Sequence, residues 1–419
     1  MKTEILYITA EYPNVGGDTA FVATEIKHIA KKFEKVYVYS HGRKDKPSIQ
    51  IPSNVVVNYF ENISYIIKIK YLILSFFSPI FFREIKSIFT KKKKLNCIKT
   101  ALFFLFRSKL ESEQMVKVIK QNEIKKLYTF WYYSSTLACI LAKKKLKLTD
   151  ISISTRTHGY DLYEYRNNQK YQPYKIQMDR QLNNIFFISK QGMEYYIQTF
   201  ANCEKEKYKL CYLGTENQIE LKEQKFSNEI QLLSVSYVVP VKRLHLIIDA
   251  LSRCAKENIK INWTHIGSGS EFENIKKLAF QMLSNTSVRF NFLGQQTNEE
   301  VHNYYKSNNV DLFVNMSESE GLPVSMMEAM SFGVPVIASN VGGVSEIVDN
   351  KTGWLLSKDL CNEEFVDVIQ EWNKSEVEEK LHKSNEAYKK WNTNFNAEKN
   401  YTEFVEQLCG INKNEINLP

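Results

Sequence analysis

Apolar and polar positions fall into two successive series of short apolar runs with helix-spaced stretches between them. The first series opens with Ile5-Leu6-Tyr7-Ile8, a run suited to a fully buried strand, which Pro13 and Gly16-Gly17 then break. Phe21, Ile26, Ile29, Ala30 and Phe33 recur near helical spacing, and Val36–Tyr39 and Val55–Val57 supply the next strands. Further runs lie at Lys126–Phe130, Ile151–Ser154 and Asn184–Ile188. The pattern restarts at Gln231–Val235 and continues through Ile261–Ile266, Val288–Phe292, Leu312–Asn315 and Val336–Ala338. Such runs alternating with helices predict parallel sheets covered on both faces. The polar, aperiodic stretch Thr215–Glu229 reads as a linker, and 362–409 reads as helical with Trp372, Trp391, Tyr401 and Phe404 as anchors. The expectation is two doubly wound α/β domains, which bind ligands at the carboxyl ends of their strands.

Composition narrows the class. With 419 residues, 43% of them hydrophobic and 25% charged, the chain can fill two cores and is neither disordered nor collagen-like. Its seven cysteines are scattered without CxxC spacing, which points to a reducing compartment and away from a zinc site. The opening MKTEILYITAEYP lacks the apolar run of a signal peptide, so a cytoplasmic location is expected. The net charge of +9 is uneven: residues 1–217 hold 36 Lys/Arg against 19 Asp/Glu, and the remainder is net acidic. Residues 62–110 hold 11 basic residues and one acid, Glu84.

Candidate chemistry concentrates between Asp311 and Leu356. A strand ends at Asn315, a polar loop carries Glu318 and Glu320, and Gly321-Leu322-Pro323 opens a helix, with Pro323 suited to its first position. Free N–H groups in that first turn favour an anion such as a diphosphate. Glu320 and Glu328 have seven residues between them, and an ionised carboxylate accepts two hydrogen bonds, which suits a vicinal diol on a sugar or ribose. Read without further context, the pair is a solvated helix face.

The stretch resembles the signature of retaining glycosyltransferases of family 4, where the Glu–seven–Glu pattern precedes a Gly-x-Pro-Val strand and a Gly-Gly-x-x-Glu turn. Here these are Gly333-Val334-Pro335-Val336 and Gly342-Gly343-Val344-Ser345-Glu346. The resemblance implies a GT-B fold of two facing Rossmann-like domains. It assigns 1–217 to the acceptor side, 218–395 to the nucleotide-sugar side, and 396–419 to a helix returning to the first domain. It places Glu320 on the donor sugar, Glu328 on the nucleotide ribose, and Gly321, Leu322, Pro323 and Val324 around the donor. Residues 232–251 resemble the segment that binds the donor diphosphate. Lys242 there matches the family's lysine, Ser236-Tyr237 replaces its Gly-Arg, and Arg243 is the candidate second cation. HIGSGSE (265–271) resembles the family's glycine turn, with Gly267 beside the nucleotide and His265 read as a packed core residue. Gly16-Gly17 stands where the family has a loop near diphosphate and acceptor, and equally fits an ordinary strand-to-helix turn. His158, after a strand, corresponds to a cleft histidine that hydrogen-bonds the donor sugar or stabilises charge at the reacting centre, with Asp161 orienting it or capping a helix; without that resemblance it reads as a core histidine.

The implied activity is retaining transfer of a hexosyl unit from a nucleotide-sugar to a lipid-linked glycan acceptor in cell-surface polysaccharide synthesis, with neither metal nor cofactor. The rival readings are a GT-B nucleotide-sugar epimerase and, from another class, a polyanion-binding module, although no nucleic-acid motif accompanies the basic first half. In 62–110 the longest uncharged run, Tyr71–Phe82, is interrupted by Pro79 and far short of the ~20 residues that span a bilayer. Apolar bulk beside Lys68, Lys70, Arg83, Lys86 and Lys91–Lys94 suits a helix lying on an anionic membrane, which would put the protein on the inner face of the plasma membrane. The same residues alternatively serve as domain core with solvated lysines.

Overall fold

The computed structural model describes residues 4–410 except 47, 202–204, 218–224, 358, 360 and 361; part of the expected linker and the end of the expected C-terminal helix lie outside the described residues. The chain divides into two compact units, 1–211 with 401–419, and 212–400.

The first unit holds a seven-stranded sheet of β1 (Glu4–Thr9), β2 (Lys35–Ser40), β3 (Val55–Tyr59), β4 (Lys126–Thr129), β5 (Ser152–Thr157), β6 (Asn184–Phe187) and β7 (Tyr208–Leu210). Their order is β3-β2-β1-β4-β5-β6-β7, every pair parallel. Burial of β1, β2 and β4–β6 on both faces explains why they read as continuous apolar or small-residue runs. The second unit holds β8 (Ile230–Val235), β9 (Ile261–Ile266), β10 (Val288–Phe292), β11 (Leu312–Asn315), β12 (Val336–Ser339) and β13 (Gly353–Leu356) in the order β10-β9-β8-β11-β12-β13, also parallel. In both sheets the strand order reverses beside the first strand, at β1/β4 and β8/β11, so loops leaving these neighbours diverge and open a crevice.

The division falls at Cys211 and Asn400 rather than at 217 and 395. Tyr212–Thr215 belong with the second unit because Thr215 bridges Asn396 and accepts from Trp391 Nε1 at 2.8 Å, while Tyr212 donates to Glu346 at 2.8 Å. The helix Ala397–Cys409 carries Tyr401 and Phe404 into the first unit, where Phe404 packs on Tyr128 and Phe186.

Candidate active site

In the second unit, β8 runs into the loop 236–243 and β11 into the loop 316–323; Glu318 N donates to Val241 O at 2.8 Å and ties the two. Lys242, ending a short 3-10 turn, places Nζ 2.6 Å from Glu320 Oε1, and Asn315 Nδ2 donates to the same oxygen at 3.3 Å. Glu320 is buried, with Lys242 partly exposed beside it. On the helix Val324–Ser331, Glu328 Oε1 accepts from Asn298 Nδ2 at 2.7 Å and lies 3.8 Å from His302 Nε2. Glu320 and Lys242 thus meet on the loops that leave β11 and β8, while Glu328 is held on the following helix by Asn298 and His302. Asn298, His302 and Asn315 were not singled out from the sequence, since each reads there as an ordinary polar residue.

Glycines bring the backbone in. Gly267 has φ +140°, and a Cβ there would stand 1.8 Å from Ser236 O. Gly342 has φ +56°, and its Cβ would stand 2.0 Å from Glu320 O, while Gly343 N donates to Gly321 O at 2.8 Å. The Gly-Gly turn therefore presses on the backbone that carries Glu320. Leu322 is buried and Val324 half-buried; Pro323 is the N-cap, with ψ 112°, rather than the first helical residue.

Arg243 ends the loop after β8. It adopts the left-handed conformation (φ 50°), and its guanidinium donates to Met316 O at 2.8 Å and Ser317 O at 3.1 Å. Through Nε and Nη2 it braces the β11 loop, and Tyr237 carries no cation. His265 is fully buried against Ser234 Oγ at 2.9 Å, as a core residue is.

In the first unit, Gly16 (φ 110°) and Gly17 (φ 54°) form the loop after β1, and a Cβ on Gly17 would meet the Glu11 carboxylate at 2.7 Å. Asp18 fixes that loop: its carboxylate accepts from the backbone N of Ala10 (2.7 Å), Glu11 (2.8 Å) and Tyr12 (3.3 Å), and from Trp131 Nε1 (3.1 Å). Preceding a helix, Asp18 looks in sequence like a simple cap, so this role was missed. His158 follows β5 with its ring 4.5 Å from those of Phe130 and Trp131. Its Nδ1 is 3.9 Å from Asp161 Oδ2, and neither ring nitrogen has a hydrogen-bond partner among the described residues. Asp161 accepts from His158 N at 2.7 Å and Tyr132 N at 2.8 Å, joining the loops after β4 and β5. Burial works to raise its carboxyl, but His158 and Lys175 outweigh that and hold it below the usual range.

Beside these loops is a cavity of about 260 Å³ lined by Ile8, Trp131, Tyr133 and Tyr160, with His41 and Arg107 among its polar groups. Arg107 Nε donates to Glu111 at 2.7 Å, and Ser135 Oγ donates to the same carboxylate at 2.7 Å. Burial holds His41 below its ordinary pKa against the pull of Glu111. Aromatic walls with a few fixed polar groups are what a sugar ring needs. The sequence offered no local signal for this cavity, because its walls come from five separate segments.

Two parallel α/β units with these strand orders are the GT-B architecture. The lipopolysaccharide outer core galactosyltransferase WaaB superposes with TM-score 0.70 over 97% of this chain and 99% of that one, at 14% identity. Anabaena Alr3699/HepE, solved with UDP-glucose, gives TM-score 0.63 over 97% and 99%, at 15% identity. Residues 215–391 match the sequence model of the family described as "Glycosyl transferases group 1". The O-antigen biosynthesis glycosyltransferase WbnH of Escherichia coli is 32% identical over 121 residues, 29% of this chain and 32% of that protein. The aligned stretch spans about a third of the length of the first curated relatives it matches.

Proposed function

We propose that the chain is a retaining glycosyltransferase that moves a hexosyl unit from a nucleotide-sugar to a glycan acceptor, lipid-linked, in the synthesis of a cell-surface polysaccharide. The observation that carries this reading is the Lys242–Glu320 pair on the loops leaving the β8/β11 switch point. Lys242 is the cation for the departing diphosphate, where negative charge accumulates in the transition state. Glu320 accepts from donor-sugar hydroxyls, and Glu328, oriented by Asn298, accepts from the ribose diol. His158 presents an unpaired ring nitrogen for the donor sugar, and the aromatic cavity of the first unit takes the acceptor sugar. The match over 215–391 and the naming of WbnH and WaaB support the reaction class and the pathway; the UDP-glucose of HepE makes UDP-sugars the first donors to try. The five described cysteines are free thiols, in keeping with a cytoplasmic enzyme.

The test is a thermal-shift panel of UDP, GDP, ADP and their sugars, followed by a transfer assay with the stabilising donor in excess chelator. Glu320→Gln should lower kcat by about 100-fold or more while the fold survives, since a preorganised charged acceptor is lost. A folded variant with unchanged kcat/KM defeats the assignment of Glu320. Activity that vanishes in chelator and returns with Mg²⁺ or Mn²⁺ defeats the reading of Lys242 as the sole cation.

A further inference from the structure

The segment 62–110 forms the helices Tyr65–Phe76 and Pro79–Thr90 and the start of Asn96–Gln121. The first of these is built inside out. Its sequence is YIIKIKYLILSF, yet its only buried residue is Ser75. Its inward contacts include polar ones: Lys109 Nζ donates to Leu74 O at 2.6 Å and Tyr71 hydrogen-bonds Glu113, beside the Phe76 ring on Phe81. Its apolar side chains face out, with Tyr65 77%, Ile66 81% and Ile73 52% exposed; Phe77, Phe82 and Phe89 extend the patch across the next helix. A monomer in water does not leave so dense an apolar surface uncovered without a partner.

We infer that this surface docks the first unit onto an anionic lipid bilayer, with the helix Tyr65–Phe76 lying in the interface. Charge complementarity selects that occupant. The segment's one acid, Glu84, is buried and accepts from Tyr174 N at 3.0 Å and Gln177 Nε2 at 2.8 Å. The exposed charges of 62–110 are therefore all positive, and Lys70, Arg83, Lys86, Lys92 and Lys94 are exposed on the same segment as the apolar residues. The expected run Lys91–Lys94 is only partly available. Lys93 Nζ is 2.7 Å from Glu164 and Lys91 lies over the Phe200 ring, so both turn toward the protein. A twelve-residue helix is ~18 Å long against a hydrocarbon core of ~30 Å. The next helix, bent 55° from it, is anchored in the domain core through Phe81, Glu84 and Ile88, so the pair rests on the membrane rather than crossing it.

Flotation of the full chain with vesicles tests the proposal. Binding should require phosphatidylglycerol mixed into phosphatidylcholine and fall as salt rises. Arg83→Ser, Lys86→Ser, Lys92→Ser and Lys94→Ser combined should weaken it by about fivefold per cation removed. Ile66→Ser, Ile73→Ser and Phe77→Ser combined should abolish it, while thermal stability and nucleotide binding stay at wild-type values, which separates loss of docking from loss of fold or of the donor site. Wild-type protein that does not float, or floats equally on neutral vesicles, overturns the proposal. So does a stable dimer that the apolar substitutions dissociate, because a second copy would then cover the patch.

Discussion

His265 and Asp311 are both buried in the second unit, and burial moves their protons in opposite directions. Burial pushes the His265 imidazole down to about 4. Burial pushes the Asp311 carboxyl up to about 6, against hydrogen bonds from Gln231 N and Asn309. Between pH 4 and 6.5 the unfolded chain binds more protons at position 265, so this contribution to stability is present above 6.5 and lost as the pH falls through 4. At position 311 the folded chain binds more, so that contribution is present below the usual carboxylate range and lost as the pH rises through 6. Each shift of about two units corresponds to about 3 kcal/mol, so the two nearly cancel. Urea denaturation across pH 4–6.5 should find that the stability of Asp311→Asn, relative to wild type, climbs with pH by about 3 kcal/mol. His265→Asn should fall relative to wild type by a similar amount. The sequence marked His265 as a core residue from its place at the end of an apolar strand. Asp311, written just before a strand, carries no mark of burial, because its neighbours Gln231 and Asn309 are known only once β8 and β11 pair.

Among the elements, the buried strands were legible because burial on both faces leaves an unbroken apolar run. The edge strands β7 and β13 were not: Tyr208–Leu210 has three residues, and Gly353–Leu356 opens with glycine. The glycine turn at 342–343 was legible as a motif, but its mechanical role lies in the contact with Glu320 O. Gly342→Ala must displace that carbonyl as well as bear a left-handed conformation. Gly294→Ala is the matched control, since Gly294 has φ +69° with nothing within 4 Å of the added Cβ. The control should lose only the conformational cost, ~1–2 kcal/mol, and keep its transfer rate. Gly342→Ala should lose more stability and at least about tenfold in kcat/KM, because a displacement of even 1 Å at a reacting group is costly. Equal effects in the two variants would remove the turn from any part in positioning Glu320.

At the scale of the whole molecule, the first unit is closed by an ion pair and a distant piece of chain. Arg156 Nη1 lies 2.9 Å from Glu25 Oε2, both fully buried, and Tyr7 donates to the other Glu25 oxygen at 2.7 Å. The Phe404 ring stacks 4.1 Å from the guanidinium. Tyr401 and Phe404 stood out in the sequence as helix anchors; Glu25, within an amphipathic helix, reads there as a solvated residue and gives no hint of its partner. Arg156→Met leaves Glu25 buried and unpaired, at an expected cost of about 3–5 kcal/mol. Glu25→Leu combined with Arg156→Met should recover most of that loss in thermal denaturation. A double variant as unstable as the single one would mean that the charges stabilise the unit beyond satisfying each other.

Because Tyr401–Cys409 completes the core of a unit whose sheet is written before residue 212, the order of synthesis and the order of completion are reversed. The stretch 212–400 is continuous and can fold as it leaves the ribosome. The earlier sheet must wait with the surfaces of Tyr128, Arg156 and Phe186 uncovered. At about 5–20 residues per second that wait lasts roughly 10–40 s. During this interval a nascent chain exposes one face of a half-finished sheet, and chaperone occupancy should therefore track the first-made half of the protein rather than the last.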